Sequence, residues 1–232
     1  MRSYKYFLSI AIIFTFMISE TYSQDFQNLE RFREENTKLM KEKPVEKDRV
    51  VFMGNSITEG WLYLSPEFFK NKPYVNRGIS GQTTPQMLLR FRQDVINLKP
   101  ELVVILAGTN DIAGNTGHAT NEMIMDNIIS MSELAQANGI KIILCSILPA
   151  YDYPWNPGLK PYLRIIEMNK LINEYCTKNN IFFLDFYSQM CDENNGMKKE
   201  FSEDGVHPNA AGYQVMNLLA DKAFAHVLKQ KK

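Results

Sequence analysis

Three features of the sequence predict one three-layer α/β/α domain built around a five-stranded parallel sheet. Short apolar runs recur along the chain, as strands buried on both faces do. Helix-periodic stretches separate them, as the right-handed crossovers of parallel strands require. No repeat, low-complexity tract or linker interrupts residues 24–232.

The elements follow in order. Residues 1–23 read as a secretory signal peptide. Arg2 and Lys5 open it, Phe7 to Ile18 is apolar except for Ser9 and Thr15, and cleavage is expected near Ser23. That apolar run is too short for a membrane span, which needs about 20 residues, so the processed chain is expected outside the cytoplasm, secreted or periplasmic, without a span. A polar, helix-prone lead runs from Asp25 to Lys47. Arg49 to Met53 is the first strand and Tyr74 to Asn76 a short second one. A helix follows from Thr84, with Pro85 in its first turn and Met87, Leu88, Phe91, Val95 and Leu98 on one face. Leu102 to Ala107, Ile140 to Leu148 and Ile181 to Phe186 are the remaining strands. Thr120 to Asn138, closed by Gly139, and Pro161 to Lys178 are the helices between them, and a last helix starts at Pro208.

The composition narrows the function classes. Of 232 residues 45% are hydrophobic and 22% charged, an ordinary globular balance. Lys plus Arg and Asp plus Glu are both 26, so neither nucleic acid nor an anionic membrane surface is an expected partner. Three Cys make no disulfide scaffold and have no metal-ligand spacing. Cys145 lies in an apolar run and reads as core, while a pairing of Cys176 with Cys191 stays open.

Sites in open parallel sheets form beyond the carboxyl ends of the strands, and the polar blocks of this chain lie there. After the first strand comes Gly54-Asn55-Ser56-Ile57-Thr58, with Ser56 where a helix begins. Ser56 is a candidate nucleophile, and an ordinary N-cap serine is the alternative. After the second comes Asn76-Arg77-Gly78-Ile79-Ser80-Gly81-Gln82-Thr83, whose glycines let backbone N–H groups approach an anion or simply make a turn. After the third comes Gly108-Thr109-Asn110-Asp111, with Asn110 either an amide donor or a loop Asn bonded locally. Asp204-Gly205-Val206-His207-Pro208 puts an acid three residues before a His, so the carboxylate can hold the imidazole tautomer. His118 and His226 have no acid at this spacing. The segment from Pro149 to Pro157 adds Tyr151, Tyr153 and Trp155 at the same sheet edge, either a substrate wall or a cluster packing its own loop. No G-x-G-x-x-G or G-x-x-x-x-G-K-[ST] block is present, so nucleotide binding has no support.

Ser56, Gly81, Asn110 and the Asp204–His207 pair, in this order at strand ends, resemble the blocks of the SGNH (GDSL-like) hydrolases, with Asn55 where that family's first block has Asp. The stretches from Asn76 to Thr84 and from Gly108 to Asp111 are most similar to the branch of the platelet-activating-factor acetylhydrolase catalytic subunits. The resemblance implies a flavodoxin-like sheet and a serine esterase. In it Ser56, Asp204 and His207 are catalytic, and Ser56, Gly81 and Asn110 form the oxyanion hole. It implies a small-molecule ester substrate, acetylated carbohydrate among the candidates, with no metal or organic cofactor. Asp111 reads as a support for the Asn110 loop or as a solvated acid. A long-chain lipase or thioesterase, and a non-catalytic carbohydrate-binding protein on the same fold, are the alternatives.

Overall fold

The computed structural model describes residues 25–42 and 47–229. The signal-peptide reading of residues 1–23 falls outside them. Five parallel strands, β1 (Val50–Gly54), β2 (Tyr74–Gly78), β3 (Leu102–Leu106), β4 (Lys141–Cys145) and β5 (Phe182–Leu184), form one sheet in the order β2-β1-β3-β4-β5. The helices are α1 (Arg33–Lys41), α2 (Ser56–Leu64), α3 (Pro66–Phe69), α4 (Thr84–Asp94), α5 (Thr109–Ile112), α6 (Asn121–Ala137), α7 (Tyr162–Asn179), α8 (Tyr187–Met190) and α9 (Ala210–Lys229). The layered reading of the sequence is met.

The strand alternation sorts the core into two halves. Val51, Met53, Val103, Ile105, Ile142 and Leu144 face one side, where Met87 and Phe91 of α4, Ile128 and Met131 of α6, and Ile165 and Met168 of α7 cover them. Val50, Phe52, Leu102, Val104, Ile143 and Leu184 face the other, under Ile57 and Trp61 of α2, Phe68 and Phe69 of α3, and Met216, Ala220 and Phe224 of α9. Period-2 strands with both faces apolar explain why the strand runs look continuous in sequence. The second half is rich in rings: Phe52 meets Trp61, Phe69 and Phe224 edge-on at 5.6, 5.2 and 5.7 Å. Truncating such a ring costs about 3–5 kcal/mol.

Some boundaries differ from the sequence reading. The α4 helix ends at Asp94, and Leu98 belongs to a separate 3-10 turn from Ile96 to Leu98, although it stays in the core. β4 stops at Cys145, because Ser146 turns inward and its hydroxyl accepts the N–H groups of Phe186 and Tyr187 at 2.9 and 2.8 Å. Cys145, Cys176 and Cys191 are free thiols, with Cys145 and Cys176 buried.

The topology decides where a site forms. From β1 the chain goes out to β2 and then returns to β3 on the other side of β1. The carboxyl ends of β1 and β3 therefore flank a crevice at the switch point. No described helix is long and apolar enough to cross a membrane.

Candidate active site

Ser56 is the first residue of α2, directly beyond β1. Asn55, not Ser56, caps this helix: its side chain accepts the N–H of Ile57 at 3.0 Å. The Ser56 hydroxyl is thereby released from capping, and its own N–H, at the first helical position, has no intrahelical acceptor. Gly78 ends β2 hard against this turn, where a Cβ would lie 2.2 Å from the Glu59 nitrogen.

The Ser56 Oγ lies 3.0 Å from His207 Nε2, and His207 Nδ1 lies 2.7 Å from Asp204 Oδ2. The chain folds locally to make the second contact. Asp204 Oδ1 accepts the backbone N–H groups of Val206 and His207 at 2.9 and 2.8 Å, a turn that brings carboxylate and imidazole side by side. The Ser202 hydroxyl clasps it from below by accepting the Gly205 N–H at 3.0 Å and donating to the His207 carbonyl at 2.8 Å. Partial burial raises the Asp204 carboxyl, but the hydrogen bonds from the His207 ring and from the backbone of His207 and Val206 outweigh it and hold it at about 2. A carboxylate that stays ionised accepts from Nδ1–H, which leaves Nε2 to accept from the serine.

The second side of the crevice is built from the loops after β2 and β3. Gly81 has φ of +78°, a left-handed conformation that a residue with Cβ rarely takes. The amide of the buried Asn110 donates to the Gln82 carbonyl at 3.0 Å, so the Gly81 loop and Asn110 meet directly. Glu59 of α2 accepts the Ser80 N–H at 2.9 Å and the Ser80 hydroxyl as well, tying the loop to the serine helix. Asp111 is buried rather than solvated. Its two carboxylate oxygens each accept the Thr84 N–H at 3.0 Å, and Oδ1 takes the Thr84 hydroxyl at 2.6 Å, so it ties the first residue of α4 to the Asn110 turn. Burial raises its carboxyl to about 6 against those hydrogen bonds.

The aromatic segment divides. Trp155 is 44% exposed, with its ring 5.9 Å from the His207 ring. Tyr151 is also exposed and stacks on Tyr162 at 5.2 Å. Tyr153 is wholly buried behind the same loop, at the back of the groove that Tyr151 lines. It stacks behind Trp155 at 5.0 Å, and its hydroxyl bonds Thr109, at 2.8 Å to Oγ1 and 3.1 Å to the carbonyl. Tyr151 faces a groove of about 360 Å³ that Asp204, Gly205, Asp192, Met197 and Lys199 also line.

Four residues that the sequence reading passed over hold this arrangement: Gln82, Arg90, Ser202 and Thr109. Arg90 and Asp94 did carry a signal. They fall on the apolar stripe of Met87, Phe91 and Val95, where a charged pair demands a buried partner.

Residues 52–215 match the model of the GDSL-like lipase/acylhydrolase family. The structure of a GDSL-like lipase from Bacteroides thetaiotaomicron superposes with a TM-score of 0.83 at 48% identity, covering 87% of this chain and 98% of that one. The esterase TesA of Pseudomonas aeruginosa is 30% identical over 165 residues, 68% of this chain and 75% of the relative. An acetylxylan esterase of Xylanibacter ruminicola is 27% identical over 203 residues, 72% of this chain. The chain spans only 41% of the length of that acetylxylan esterase. The crevice at the switch point, with a serine on a histidine on an aspartate, therefore belongs to a member of the GDSL-like lipase/acylhydrolase family, a family of ester-cleaving hydrolases.

Proposed function

We propose that the chain is an exported serine esterase that removes short acyl groups, acetyl above all, from carbohydrate alcohols. The observation that carries the chemistry is the unbroken hydrogen-bonded chain from Ser56 Oγ through His207 to Asp204, at 3.0 and 2.7 Å. Ser56 Oγ attacks the ester carbonyl while His207 Nε2 takes its proton. The tetrahedral intermediate collapses as the C–O bond to the alcohol breaks and His207 returns the proton to the leaving oxygen. Water then enters by the same route, and the acyl-enzyme is hydrolysed to the free acid and Ser56. Asp204 orients the ring and balances the imidazolium charge. The carbonyl oxygen, negative in the intermediate, takes hydrogen bonds from the N–H of Ser56, the N–H of Gly81 and the side-chain amide of Asn110.

The acyl and alcohol classes rest on two supports. A relative named acetylxylan esterase shares 27% identity over most of this chain. The exposed Trp155 stands beside His207, the group that protonates the leaving alcohol, and a flat aromatic face suits a sugar ring. Tyr151 lines the groove beyond it. Export rests on the basic start and apolar run of residues 1–23.

Hydrolysis of p-nitrophenyl esters from acetyl to palmitoyl, run beside Ser56→Ala, tests the reading. Activity concentrated on acetyl and butyryl, and lower by roughly 10⁶-fold in kcat for the variant, is expected. A maximum at long chains moves the enzyme to the lipases. Turnover that survives Ser56→Ala rejects the serine mechanism, and failure of a fluorophosphonate to label Ser56 in an inactive protein selects a carbohydrate-binding role.

A further inference from the structure

We propose that Gln82 and Arg90 are positioning residues that set the oxyanion donor Asn110 against the nucleophile; the proposal rests on the oxyanion reading of Asn110 given above. Neither residue touches the serine or the histidine. Both lie one layer below the crevice, buried.

The geometry begins with the Asn110 amide, which has two N–H groups. One is spent on the Gln82 carbonyl at 3.0 Å, and this bond fixes the rotation of the amide plane. The placement of Asn110 is thus only as firm as the placement of the Gln82 carbonyl. That carbonyl belongs to a loop just after the left-handed Gly81, outside any strand or helix. Beside the turn bond from the Gln82 N–H to the Ile79 carbonyl at 3.3 Å, it is tethered by the Gln82 side chain, whose Oε1 accepts from Arg90 Nε at 2.6 Å and whose Nε2 donates to the Gln27 carbonyl at 2.9 Å.

Arg90 closes the frame. Its Nη2 donates to the Gly54 carbonyl at 3.1 Å, two residues before Ser56. The same carbonyl accepts the Ile79 N–H, also at 3.1 Å, so the exits of β1 and β2 are clamped at one atom. A guanidinium is planar and presents its donors in a fixed fork. Through one rigid group the end of β1, which delivers the nucleophile, is held at a set distance from the loop that orients the oxyanion donor. Arg90 Nη1 meets Asp94 Oδ2 at 3.0 Å, and Asp94 Oδ1 takes the Asn36 amide at 2.6 Å, so the charge is balanced below the sheet end and α1 is bound to the same frame.

A double-mutant cycle separates positioning from mere support of the fold. Gln82→Met keeps the volume and removes the oxygen that Arg90 grips. On p-nitrophenyl acetate its kcat is expected to fall between roughly tenfold and a hundredfold, with KM changed by less than about threefold. In an Asn110→Ala background the same change is expected to cost less than about threefold, because the group it positions is already gone. Gln82→Glu retains an oxygen for Arg90 but turns a second one, an acceptor, toward the Gln27 carbonyl, and it is expected to recover part of the kcat that Gln82→Met loses. Should Gln82→Met fail to fold, Arg90→Lys reads the same link, since one ammonium satisfies Asp94 but cannot also reach Gln82 and Gly54. Two losses that multiply in the double variant, or an unchanged kcat in a folded Gln82→Met protein whose Asn110→Ala counterpart is crippled, overturn the positioning role. Full activity in Asn110→Ala alone overturns the oxyanion reading, and the positioning proposal with it.

Discussion

Two acid–base pairs flank the same crevice, one at its rim and one beneath it, three and four residues apart, and they are built in opposite ways. Asp204 and His207 stand at the rim, with side chains 40% and 39% exposed, and a turn of a few residues supplies all their geometry. Arg90 and Asp94 have side chains 0% exposed, and their partners come from Asn36, Gly54 and Gln82, spread across the first part of the chain. In the proposed mechanism the exposed pair serves proton transfer, which needs access to substrate and water. The buried pair reacts with nothing, and its low-dielectric surroundings make each unmade bond costly. Reactivity is thus placed where the backbone is local and simple, and precision where it is buried and shared.

The contrast can be broken from either side. Asp204→Asn should have the larger kinetic effect: about 10⁴-fold in kcat through the wrong imidazole tautomer. The melting temperature should stay near that of the wild type, because the pair is exposed. A melting temperature that collapses along with activity would make the rim pair structural as well. Asn110→Ala comes next, with a loss of about 10²–10³-fold in kcat on p-nitrophenyl acetate. If that variant hydrolyses the ester at the wild-type rate, the oxyanion hole lies elsewhere.

The smallest effect is on stability against pH, where two carboxylates of the site have opposite signs. Asp204 is held below the ordinary 3.8, so the stability it adds is in place above that value and is lost as pH falls through about 2. Asp111 is raised, so its contribution is whole below 3.8 and is lost as pH rises through about 6. Melting curves between pH 4 and 7 should therefore show a decline in the wild type that Asp111→Asn flattens. Equal slopes in the two proteins would mean that Asp111 titrates like a solvated acid.

How much of this was legible in the chain follows the same division. Asp204 and His207 could be paired from their spacing alone, because a three-residue turn leaves few other arrangements. Ser56, Gly81 and Asn110 were each ambiguous by position, and only their order past the apolar strands, which resembles the blocks of the GDSL-like hydrolases, singled them out. The burial of Tyr153 was not legible, because an aromatic loop residue looks the same in sequence whether it faces solvent or the Thr109 hydroxyl. Gln82 was in plain view in its block, but nothing local distinguishes an exposed turn amide from one that joins Arg90 to Gln27.

The sequence by itself determined the layers, the order of the strands' polar exits and the local acid–histidine turn, because hydrophobic periodicity and short-range backbone chemistry depend on neighbours along the chain. Only the tertiary structure decided that Asn55 takes the cap and frees Ser56, that His207 arrives 3.0 Å from a serine 151 residues away, and that one guanidinium joins the ends of β1 and the Gly81 loop. Those are contacts between distant segments. Their partners are chosen by which groups remain unsatisfied once the sheet has closed and water has been expelled, a condition that no stretch of the chain carries alone.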